Sequence, residues 1–113
     1  MDCLFCNIIS GDIPADIVFQ DDQVLAFRDI APQAPEHILI IPRKHIATLN
    51  DVTAEDTEML GTLMQTAATL AADAGCAEEG YRVVMNCNAA AGQTVFHIHL
   101  HLLCGRPLSW PPG

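Results

Sequence analysis

"FHIHLHLLCGRP", residues 96–107, is the stretch on which the reading of this chain turns. Three of the chain's five histidines, His97, His99 and His101, fall there on every second residue, with Ile98 and Leu100 between them. Strict alternation of polar and apolar side chains is the period of a strand half-buried in a sheet. Phe96, Ile98, Leu100 and Leu102 are then expected to face the core. The three imidazoles share the opposite face with Val95 and Leu103. Alternate residues on a strand are about 6.5–7 Å apart, so the outer pair is roughly 13 Å apart along the backbone. Bonds to zinc are only about 2 Å long, so one metal held by all three histidines strains the geometry. The spacing points to divided roles.

Working outward, strands are predicted at 17–19 and 24–29, around a turn at Asp21-Asp22, and at 37–41, stopped by Pro42. "APQAP", residues 31–35, is a loop punctuated by proline. Two further strands are predicted at 81–86 and 95–103, joined by the small-residue loop "AAAGQT", 89–94. One convincing helix is predicted over 53–74. Thr53 caps it, Glu55 and Asp56 lie in its first turn, where negative charge suits the helix dipole, and Gly75 ends it. Leu60, Leu63, Met64, Ala67, Leu70 and Ala71 recur at helical spacing. No charge falls between residues 59 and 72. An ordinary surface helix carries a charged face, so the side with Thr62, Thr66 and Thr69 is expected to be covered by a second subunit. An exposed threonine face is the other reading. Helix and strands are segregated without a βαβ rhythm. The fold class is α+β: an antiparallel five-stranded sheet with one long helix and a short N-terminal helix, in a single domain over 1–113.

Composition narrows the function. The 113 residues, half of them hydrophobic, suffice for one core. Fourteen acidic residues against five basic ones argue against a nucleic-acid backbone or an anionic membrane as partner. A small anion remains open if backbone N–H groups, hydroxyls and imidazoles hold it locally. The N-terminus has no basic and apolar leader pattern, and residues 59–72 are too few to span a bilayer. Five cysteines are an odd count without disulfide-framework spacing, which points to a reducing cytoplasm. Cys76, Cys87 and Cys104 read as small buried residues. Cys3-x-x-Cys6 has metal-ligand spacing, although one pair is weak evidence alone.

The pattern His-φ-His-φ-His-φ-φ, complete over 97–103, resembles the histidine triad nucleotide-binding proteins. "AFRDIAPQAPEHILIIP" (26–42), "GYRVVMN" (80–86) and "WPPG" (110–113) extend the likeness to the purine nucleoside phosphoramidase branch and to essentially the whole chain. The resemblance implies a HIT-like dimer that hydrolyses purine nucleoside 5′-monophosphoramidates through a nucleotidyl-histidine. His99 would be the nucleophile, since neutral imidazole bonds readily to phosphorus. His101 and His37 would stabilise phosphoryl charge and handle protons. Thr94, where the family often has Ser, would contact the phosphate with Asn86, Gly92 and Gln93. Asp29 would accept from the ribose hydroxyls. Phe5, Ile8, Phe27, Ile30 and Leu39 would form the purine pocket, and Trp110 would reach the partner subunit's leaving-group side. In members with the N-terminal cysteine pair, Cys3, Cys6, His45 and His97 would hold structural zinc, with no cofactor needed for the chemistry. Cys104 replaces a frequent Gly. Three other readings stand beside this one: a dinucleoside polyphosphate hydrolase or nucleotidyl transferase, a nucleotide-sensing module with incidental hydrolysis, and a zinc hydrolase whose triad activates water.

Overall fold

Strand β3 (Glu36–Pro42, EHILIIP) is apolar on both faces, which only a strand covered on both sides tolerates. It lies at the centre of an antiparallel sheet of order β1-β2-β3-β5-β4 in a computed structural model that describes residues 2–113. The flanking strands are β1 (Ile17–Gln20), β2 (Val24–Arg28), β4 (Arg82–Val84) and β5 (Leu100–Cys104). The period of two divides β3 between two cores. Ile38 and Ile40 join Val24, Ala26, Leu100 and Leu102 beneath Leu63 and Ala67 of helix α2 (Thr57–Asp73). Leu39 and Ile41 join Leu25 and Phe27 beneath Phe5 and Ile8 of helix α1 (Leu4–Ile9).

Side chains fix the connections. Asp21 Oδ1 accepts from the N–H groups of Gln23 and Val24 at 2.8 and 2.9 Å, which closes the β1–β2 turn. Residues 54–56 form a 3-10 turn before α2, so the predicted single helix starts three residues late. The Asp56 carboxylate accepts from the Thr53 N–H at 2.9 Å, an anchor at that entrance. Gly75, at φ +78°, ends the helix as expected. Among the described residues, no helix is long and apolar enough to cross a membrane.

Two expectations fail. The predicted strand 95–103 forms only from Leu100 onward. Its first part bends: the Ile98 N–H donates to Ile46 O at 2.8 Å instead of joining the ladder. Phe96, expected in the core, stands exposed, while His97 is fully buried. Cys76 and Cys104 are paired with each other, their Cα atoms 6.3 Å apart. Tertiary packing of the α2 end against the β5 end brings them together, and no sequence spacing announces that. Cys87 is unpaired and half-buried.

Candidate functional site

The sheet register gathers the polar residues at one corner. Leu39 of β3 faces His101 of β5, so His37 and His101 are diagonal neighbours on one face. Asp29 directly follows β2, where its N–H donates to His37 O at 2.9 Å. Beside them opens a cavity of about 290 Å³. Phe5, Ile8, Phe27 and Leu39 form its apolar walls, and Asp29, Thr94, His99 and His101 stand at its polar end. Ile30 lines the rim, fully exposed. An apolar slot with a few convergent polar groups is the usual form of a small-molecule site.

Backbone groups settle the tautomers. A carbonyl can only accept, so His99 Nδ1, 2.8 Å from His97 O, carries the proton. The lone pair of His99 is therefore at Nε2. His97 is the reverse case. Its Nε2–H donates to Pro42 O at 2.7 Å, which leaves Nδ1 bare. His37 Nδ1 accepts from the Gln33 N–H at 3.0 Å, so its proton is at Nε2, 2.9 Å from His101 Nδ1. His101 Nδ1 thus accepts, and the neutral ring carries its proton at Nε2. Asp29 Oδ2 is 3.5 Å from His37 Nε2, and Oδ1 accepts from the Ala31 N–H at 2.8 Å.

Burial disfavours the charged imidazole. It lowers His101 from the ordinary 6.5 to about 4, helped by His99 and His37 and opposed by Asp29. Burial also lowers His37, opposed by Asp29, and His99, opposed by its bond to His97 O. The cavity imidazoles are therefore neutral at pH 7.

Among the described residues, two groups of side chains bring potential metal donors within 4.8 Å of one another. In the first, His97 Nδ1 is 3.4 Å from Cys3 Sγ, 3.6 Å from Cys6 Sγ and 3.3 Å from His45 Nδ1. A tetrahedron with bonds of about 2.05 Å to nitrogen and 2.3 Å to sulfur has edges of roughly 3.3 Å (N···N) and 3.6 Å (N···S). These residues fit a metal, and Pro42 O supplies the outer bond that aims the His97 lone pair. The second group, Asp29, His37 and His101, fits poorly. A metal at His37 Nε2 would move the ring proton to Nδ1, against the Gln33 N–H.

The expected residues separate into several places. Asp29, Thr94, His99 and His101 meet at the cavity, with Phe5, Ile8, Phe27, Ile30 and Leu39 along it, and His37 stands behind His101, its Nε2 2.9 Å from His101 Nδ1. His97 turns away with Cys3, Cys6 and His45. Gln93 is buried and its amide is used internally: Nε2 donates to Ala47 O and Val95 O, and Oε1 accepts from the Asn88 N–H. It braces the loop rather than offering donors to a phosphate. Asn86, Gly92 and Trp110 do not line the cavity of the single chain, and Trp110 stands 82% exposed. The sequence reading missed Leu4, Ile13, Pro14 and Val95 at the cavity, and the backbone partners Gln33 and Pro42. It also missed the posts of the His45 loop. Lys44 Nζ bonds Asp56 Oδ1 at 2.7 Å, and Arg43 Nε donates to Asp21 O at 2.6 Å. The basic pair before His45 was the available signal.

The fold and site define a small α+β domain in which a stripe of three histidines is divided between a metal-donor cluster and an apolar cavity. The chain belongs to the HIT domain family, whose pattern matches residues 10–108. It is 58% identical over 105 residues to a purine nucleoside phosphoramidase of Escherichia coli K12, covering 93% of this chain and 88% of that protein. It is 56% identical to an uncharacterized HIT-like protein of Synechococcus elongatus, covering 99% and 97% of the two chains. A crystal structure of a HIT family hydrolase from Legionella pneumophila superposes with a TM-score of 0.98 at 58% identity, over 99% of this chain and 100% of that one.

Proposed function

We propose that this chain is a hydrolase of purine nucleoside 5′-monophosphoramidates that cleaves the P–N bond through a nucleotidyl-His99 intermediate. The observation that carries the reading is the His99 ring, held by His97 O with its Nε2 lone pair free at the polar end of an apolar cavity. The Escherichia coli relative is a purine nucleoside phosphoramidase and the Legionella pneumophila one a HIT family hydrolase, which supports the reaction class.

The base lies among Phe5, Ile8, Phe27 and Leu39, with Ile30 at the rim, and Asp29 accepts from the ribose hydroxyls. His99 Nε2 attacks phosphorus, a bond forms there, and the P–N bond breaks. The phosphate anion, bound beside His101, favours its protonated ring, which donates the Nε2 proton to the departing amine and is left neutral. The ring charge that His99 gains on bonding to phosphorus lies 5.0 Å, centre to centre, from His101 and eases that transfer. Water then attacks phosphorus, returns a proton to His101 and frees His99. Thr94 and His37 stabilise the phosphoryl charge, directly and through His101. Acid quench of a turnover with labelled nucleotide is expected to trap label on the wild-type chain. Label retained by His99→Ala would sink the mechanism. Rates on P–N substrates are expected to exceed those on P–O–P substrates.

The same proposal assigns Cys3, Cys6, His45 and His97 to structural zinc. Four protein donors complete a tetrahedron and leave no position for an activated water, which speaks against zinc hydrolysis. A homodimer is the proposed assembly. The Thr62 and Thr66 hydroxyls already donate to Glu58 O and Thr62 O, so a partner can cover these two without stranding their donors. Met64, Phe19 and Trp110 are exposed in the single chain. Sedimentation equilibrium tests the assembly. A cytoplasmic location remains the proposal, and thiol titration of freshly prepared protein tests whether Cys76 and Cys104 stay bonded there.

A further inference from the structure

Two stretches of the sequence lie outside the reaction as described: "GRP", which closes the histidine segment, and the loop "APQAP". The fold clasps them together. Arg106 Nε and Nη2 both donate to Gln33 O, at 3.1 and 2.9 Å. Gly105, at φ +99°, lies so close to Pro35 that a Cβ there would sit 2.9 Å from Pro35 Cβ. Only glycine combines that backbone angle with that approach. The clasped residue Gln33 donates its N–H to His37 Nδ1 at 3.0 Å, and His37 Nε2 faces His101 Nδ1 at 2.9 Å.

We propose that Arg106 is a positioning residue for the reaction: through Gln33 it keeps His37 in the Nε2–H tautomer and thereby orients the proton-donating ring of His101. A guanidinium fork gripping one carbonyl fixes the peptide in two directions, which a single ammonium cannot do. With the fork gone, the Gln33 N–H drifts from His37, and the ring is free to take the other tautomer. His37 Nε2 and His101 Nδ1 would then both be bare and repel. The walls of the base pocket on α1 and β2 are untouched. The effect therefore falls on kcat and spares KM.

This inference rests on the proposed phosphoramidase reading, and its spectroscopic arm does not. Nitrogen-15 NMR of the ring nitrogens reads the His37 tautomer without turnover. Wild-type protein is expected to show His37 protonated at Nε2. Arg106→Ala is expected to show a mixed tautomer, kcat reduced about tenfold and KM within about twofold. Arg106→Lys should fall between the two. Gly105→Ala, which pushes on Pro35 without changing charge, should give the same signature as Arg106→Ala. An unchanged His37 tautomer in Arg106→Ala overturns the proposal, and so does a loss of kcat that appears without any tautomer change. A wild-type chain inactive on every phosphoramidate, yet with the tautomer locked and released as stated, would refute the reaction and leave the clasp standing.

Discussion

The two ends of the histidine stripe are four residues apart and chemically opposite. His97 presents a bare Nδ1 to two thiols and a second imidazole, because its Nε2–H donates to Pro42 O. His101 presents a proton at Nε2 to an open cavity, because its Nδ1 accepts from His37. One end is arranged to hold something permanently and the other to give and take. The residue type is the same at both, so the difference lies in which backbone group each ring or its neighbour meets. His99 belongs to both ends. It bonds to the carbonyl of His97 and stands beside the ring of His101.

The sharpest way to break this comparison is at its centre. His99→Ala is expected to lose activity by roughly 10⁴-fold while still binding nucleoside monophosphate, since the pocket walls are elsewhere. Steady-state rates and calorimetric binding on the same variant check both halves. Next comes the cavity end. His101→Ala is expected to lose about 10²–10³-fold on substrates with a poorly leaving amine, and much less where the leaving group needs no proton. An equal loss on both substrate types would remove His101 from proton handling.

The metal end is expected to respond in stability first. A metal at about a thousand times its dissociation constant contributes about 4 kcal/mol to folding. For a domain of this size that is a melting-temperature loss on the order of 10 °C on chelation. Cys6→Ser should weaken metal retention in the same preparation. Burial and the neighbouring Cys3 thiol raise the Cys6 pKa, so metal loading has to displace its proton and weakens in acid. Calorimetry with and without chelator at pH 7, beside metal analysis, reads the effect directly.

How much of this the sequence carried depended on the kind of signal. The apolar run 37–41, stopped by Pro42, and the helical periodicity within 53–74 are local, and they predict β3 and α2 closely. Strand geometry pointed to divided roles for the stripe; residues 95–99 form no strand, and the bend there turns His97 toward Cys3, Cys6 and His45 while His99 and His101 line the cavity. The bend at 95–97 was not legible, since alternation of His with Ile and Leu continues through it unchanged. What sets the bend is a long-range bond from Ile98 to Ile46, absent from any local pattern. The tautomer-setting partners were hidden for a related reason. They are main-chain atoms of Gln33, Pro42 and His97, and a main-chain atom leaves no mark on residue identity. The Cys76–Cys104 pairing was hidden by tertiary distance.

The gentlest test separates the two ends by pH. Unfolded, His101 takes up its proton near its ordinary 6.5, and folded only near about 4. Between those values the unfolded chain binds more protons, so stability must fall as pH falls. The contribution of His101 is complete above about 6.5 and gone below about 4, and His37 and His99, also lowered by burial, act in the same direction. Asp21 and Asp56 do not confuse the window, because their folded values lie below the ordinary 3.8 and their contribution is lost only in stronger acid. Melting temperatures of metal-free protein are therefore expected to decline by a few degrees from pH 7 to pH 4.5, and the decline should be shallower in His101→Gln. Metal-loaded protein should decline more steeply over the same interval, because protons also compete there for the ligands of the other end. Parallel curves for loaded and metal-free protein would mean that the Cys3, Cys6, His45 and His97 cluster contributes nothing as a metal site. Parallel curves for wild type and His101→Gln would mean that His101 is not where the proton-linked stability resides.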